Sequence, residues 1–119
     1  MTSTTRNVRI EVSPDHFALL ADAMCLLSKN TSKFQSLRST GQHACRSVAE
    51  HDFSPQDLAD FLAAASPGNT IALWLEVKSD WMADFDNARA KVAQITGKPV
   101  HDRLAIPFIV GQAITRNTL

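Results

Sequence analysis

Asn7-Val8-Arg9-Ile10-Glu11-Val12-Ser13-Pro14 is the stretch on which the fold turns. Val8, Ile10 and Val12 alternate with Asn7, Arg9 and Glu11, the period-two pattern of a strand with one buried face. Ser13 followed by Pro14 then reads as a helix start, with a hydroxyl N-cap and a proline where no amide is needed. Phe17, Leu20, Met24 and Leu27 continue at helical spacing. Ser28 to Ser32 interrupts that helix, and Phe34, Leu37, Cys45 and Val48 predict a second one to about Glu50.

The same order returns further along. Ile71-Ala72-Leu73-Trp74-Leu75-Glu76-Val77 alternates again, with Leu73, Leu75 and Val77 on one face, and Ser79-Asp80 opens a helix whose apolar stripe is Trp81, Phe85, Ala88, Val92 and Ile95. Gly97 ends it. Leu104 to Thr115 is apolar and predicted helical, with Pro107 either starting or kinking that helix. Glu11-Val12 and Glu76-Val77 align at an offset of 65 residues. Between the two copies, Ser54-Pro55-Gln56-Asp57 caps a further helix, which Ser66-Pro67-Gly68-Asn69 stops.

The chain is therefore expected to be α+β and mostly helical, with strand-helix-helix units occurring twice. Residues 1–6 form a disordered arm, 7–50 the first unit, 51–69 a connecting helix and turn, and 70–119 a second, degenerate unit. At 119 residues it has room for a real core, burying roughly two-thirds of its unfolded surface. Twelve basic residues balance twelve acidic ones. The halves differ: residues 1–50 carry six basic and four acidic side chains, a balance of +2, whereas 51–119 carry six and eight, a balance of −2. Such a footprint argues against non-specific nucleic-acid binding more than against a sequence-specific reader.

Residues 6–50 resemble the ribbon-helix-helix family of DNA-binding proteins, the Arc and MetJ type. In that family two antiparallel strands form a ribbon that enters the major groove. The resemblance implies that Asn7, Arg9 and Glu11 read base edges. Arginine suits guanine, asparagine adenine and glutamate the cytosine amine. It implies phosphate contacts at Arg6 and at the start of the second helix, about Thr31, Ser32 and Lys33. It also implies double-stranded DNA as partner and a homodimer, or one chain whose strands 7–12 and 71–77 pair together. The role implied is a repressor or an accessory protein at a plasmid or phage site, cytoplasmic, without a cofactor and without catalysis. The second copy departs from the family pattern: its outward residues are Ala72, Trp74 and Glu76, and Pro107 falls in its second helix.

Other classes find less support. Cys25 and Cys45 are expected as buried free thiols in a reducing compartment. Cys25, His43, Cys45 and His51 could supply zinc ligands, but their spacing fits no recurring pattern, and His51-Asp52 and His101-Asp102 lack the further partners of a metal phosphohydrolase. No glycine-rich phosphate cradle and no nucleophile motif is present. No run approaches a membrane span. The alternative is a protein-binding adaptor, inhibitor or immunity-type module, for which Trp74 and Trp81 are the candidate interface residues.

Overall fold

An isolated two-stranded ribbon is marginal in water, so the strands of this chain must draw their stability from helices packed on one face. The computed structural model describes residues 5–65, 68, 70–97 and 100–119, and the side chains of all of these but Thr5, Arg6 and Arg103. The order is β1 (Thr5–Val12), α1 (Pro14–Thr31), α2 (Leu37–Ser47) with a 3₁₀ turn at Val48–Glu50, α3 (Pro55–Ala63), β2 (Ile71–Lys78), α4 (Met82–Thr96) and α5 (Asp102–Thr115). The class is α+β, mostly helical, with one two-stranded antiparallel sheet among the described residues. None of the described helices is long and apolar enough to cross a membrane.

The strand signal holds at Val8, Ile10 and Val12, all buried, while Asn7, Arg9 and Glu11 are exposed. β1 begins at Thr5, inside the stretch expected as a disordered arm. Residues 1–4 lie outside the described residues. Ser13 caps α1 by accepting from the His16 amide, with Pro14 in the first turn. Ser54 and Asp57 cap α3 reciprocally.

Three expectations change. The buried face of α1 is His16, Leu20, Ala23 and Leu27, one residue out of phase with the apolar series at Phe17 and Met24; Phe17 is 40% exposed. His16 is held under α3 instead, its Nε2 donating to the Phe61 carbonyl at 3.0 Å and its ring stacked on Phe61 at 3.9 Å. Phe34 precedes α2 and is fully exposed. Pro107 does not start α5, the first of the two roles expected of it: the helix begins at Asp102 and runs through it, and the Arg103 carbonyl goes without its usual helical amide.

The two strand-helix-helix segments share one plan. β1 pairs with β2 so that Arg9 faces Trp74, Asn7 faces Glu76 and Glu11 faces Ala72. Arg9 and Trp74 are themselves 65 positions apart, so the ladder is symmetric about that pair. The same offset relates the left-handed residues that end the first helices, Ser32 (φ 58°) and Gly97 (φ 72°). It relates the N-caps of the second helices, Ser36 and His101. It relates buried positions too: Leu20 with Phe85, Ala23 with Ala88, Leu27 with Val92, and Val48 with Ala113. Packing follows suit. α1 packs on α5 as α4 packs on α2, the second helices pack on each other, and each also backs the strand of the opposite segment. The equivalents differ in bulk, for α2 places Gly41, Ala44 and Cys45 where α5 places Ile106, Ile109 and Val110. The Cα radius of gyration, 13.6 Å, is that of one body of this length, about 13.5 Å.

Candidate nucleic-acid interface

The outer face of the ribbon is built by default. Alternation sends Val8, Ile10 and Val12 of β1 and Leu75 and Val77 of β2 into the core, which leaves the intervening side chains outside. Asn7, Arg9, Glu11, Ala72 and Trp74 are exposed and Glu76 is half-buried. Arg9 lies at the centre. Its Nη1 is 2.8 Å from Glu11 Oε1, and its guanidinium carbon lies 5.9 Å from the centroid of the Trp74 ring. An exposed ion pair of this kind contributes only about 0–1 kcal/mol, less than the roughly 1–3 kcal/mol of a bidentate arginine–guanine contact. Arg9 can therefore leave Glu11 for a stronger acceptor. The three residues expected to read bases thus share one exposed surface with the outward residues of β2.

The expected phosphate positions are placed differently. Ser32 and Lys33 do not open the second helix; they close the first. The backbone amides of both donate to the Ser28 carbonyl, at 3.2 Å for Lys33, and so are occupied. α2 starts four residues later, where Ser36 and Ser39 form a reciprocal cap. The amides left in its first turn are those of Leu37 and Arg38, to which a helix offers no carbonyl. The Arg38 side chain is exposed, as is that of Lys33. The sequence signal for this start was Ser36 three residues before Ser39, a capping box with serine where glutamate is usual. Arg6 belongs to β1, and its side chain lies outside the described residues.

The two tryptophans part company. Trp74 is 68% exposed on the ribbon, whereas Trp81 is 2% exposed. Trp81 is therefore not an interface residue. It starts α4 beside Phe85, with ring centroids 6.0 Å apart, and its ring reaches over Gly41 of α2. Cys25 likewise departs from expectation. It is exposed, whereas Cys45 is buried. Burial, aided by the charge of Asp84, pushes the Cys45 thiol up to about 12.

The histidine and cysteine candidates for a metal are dispersed. Among the described residues no three metal-ligating side chains cluster. His43 Nε2 bonds the Thr118 carbonyl at 3.0 Å, His101 is the N-cap of α5, and Asp102 pairs with Arg89 at 2.9 Å. Comparison of the chain with protein-family models, with curated proteins and with solved structures finds no match.

Proposed function

We propose that the chain binds double-stranded DNA sequence-specifically, as a ribbon-helix-helix protein in which a single chain supplies both halves. The observation that carries this reading is the uncovered antiparallel ribbon. Its buried side chains lie on the inner face, and the outer face offers amide, guanidinium and carboxylate groups in register beside Trp74 and Ala72. A two-stranded ribbon fits the major groove, where donors and acceptors distinguish all four base pairs. Asn7, Arg9 and Glu11 read bases. Lys33 and Arg6 contribute charge toward phosphates, and the first turn of α2, with Leu37 and Arg38, takes the phosphate-clamping role that Ser32 was expected to fill. The ladder forms within one chain, the second of the two arrangements expected, so the reading needs no second copy to complete the ribbon. The protein acts by recognition, as a repressor or an accessory factor at a plasmid or phage site.

Retardation of duplex DNA from the gene's own upstream region, measured across a salt series, tests this. A retarded band that weakens steeply with salt is expected. No band at low salt rejects the reading. One feature favours a second reading, a protein-binding module: Trp74 stands exposed at the centre of a ribbon whose described charges, Arg9 and Lys78 against Glu11 and Glu76, cancel. An aromatic-anchored protein interface would bind with little salt dependence.

A further inference from the structure

The ribbon has two unlike strands, and from this we infer that its target is a non-palindromic duplex bound by one chain, with Trp74 contacting a thymine methyl at the centre. The inference rests on the DNA-binding reading above and deepens it. Two copies of the first strand paired in the same register would place an arginine pair at the centre and an asparagine–glutamate pair at both ends. This chain keeps only part of that pattern. One end offers Asn7 beside Glu76, the other Glu11 beside Ala72, and the centre offers Arg9 beside Trp74.

Each difference has a chemical reading. The Asn7 end can form the bidentate amide contact that selects adenine, whereas at the other end Ala72 has only a methyl group. At the centre one guanidinium remains, already lying toward Glu11 at 2.8 Å, on the Ala72 side. Opposite it the indole presents apolar surface, which in the major groove matches the C5-methyl of thymine. The flanks repeat the asymmetry. The first turns of α2 and α5 both carry an arginine, Arg38 and Arg103, but the position before it is Leu37 in α2 and Asp102 in α5, whose carboxylate Oδ1 is bonded by Arg89 at 2.9 Å. A carboxylate at a helix N-terminus occupies the place a phosphate would take. The grip on the backbone is therefore stronger on the α2 side.

Selection from a random double-stranded library with the full chain tests this, followed by the stoichiometry of the complex from its mass. The expected result is a motif without two-fold symmetry, one chain per duplex, and a central thymine whose preference falls roughly tenfold in Trp74→Ala. Asn7→Ala relaxes adenine preference at one end only. Both side chains are exposed, so both variants keep the fold. A palindromic motif, two chains per site, or a central preference unchanged in Trp74→Ala overturns the inference and leaves DNA binding standing. No enriched sequence at low salt overturns the DNA-binding reading itself.

Discussion

Arg9 and the two tryptophans show how much a single side chain's placement decides. Arg9→Ala is expected to weaken binding to the selected site by about 1–3 kcal/mol and to relax its specificity, whereas Lys33→Ala should weaken all duplexes alike and shallow the salt slope. Equilibrium titrations on specific and unrelated duplexes read both. Trp81→Ala should cost about 3–5 kcal/mol of stability, because it empties a filled core position. Trp74→Ala should change stability by no more than about 0.5 kcal/mol, as surface substitutions do. Urea denaturation separates them. Cys45 supplies a pH test. Its thiol ionises at about 12 when folded, against 9.0 for the ordinary group. Between these values the unfolded chain holds fewer protons, so stability falls as pH rises above about 9, by at most about 1.4 kcal/mol per unit from this group. Cys45→Ala should flatten that slope. Cys25, being exposed, should react with a thiol reagent in the native protein while Cys45 does not.

At the scale of elements, two glycines make opposite predictions. Gly41 lies within α2, where an added Cβ would meet only Leu75 and Trp81, each at 3.9 Å. Gly41→Ala should therefore stabilise by about 0.5–1 kcal/mol through helix propensity. Gly97 ends α4 at φ 72°, and alanine there should destabilise by about 1 kcal/mol. Thermal melts of the two variants give the signs. Elements with a strong local signal were legible in the sequence: the alternation of Val8, Ile10 and Val12, the caps at Ser13 and Ser54, and the stripe through Phe85, Ala88 and Val92. The phase of α1 was not. Hydropathy favours Phe17 and Met24, but the close approach of neighbouring elements selects His16, whose ring nitrogen has a carbonyl to meet, and Ala23, which is small. The start of α2 was misplaced for a related reason, since Phe34 looks like a core residue and is held outside by the turn that ends α1. The outward face of the ribbon could be read from β1 alone. Which of the two expected pairings β1 makes, with residues 71–77 of its own chain or with a second chain, required the fold. Arg38 went unnoticed as a phosphate candidate because the helix was started too early.

The whole molecule depends on joining its two segments. Neither strand has a described partner within its own segment, and each second helix backs the strand of the other. Residues 1–64 and 65–119, made separately, should therefore be largely unfolded and should regain helicity on mixing, as circular dichroism would report. A folded, monomeric first fragment would contradict this account of the packing. Pairing like with like is also disfavoured: two first segments would set Gly41 and Ala44 where the chain now provides Ile106 and Ile109, and truncating a buried isoleucine to alanine costs about 2–5 kcal/mol. The ladder that closes within one polypeptide has a consequence for dosage. A half-ribbon that must find a mate loses its binding surface on dilution, and occupancy of its target rises with the square of concentration when the protein is scarce. Here the mate is tethered at a fixed, high effective concentration. A few molecules per cell would each carry a finished binding face, and the response to expression would begin linearly, with no threshold to cross.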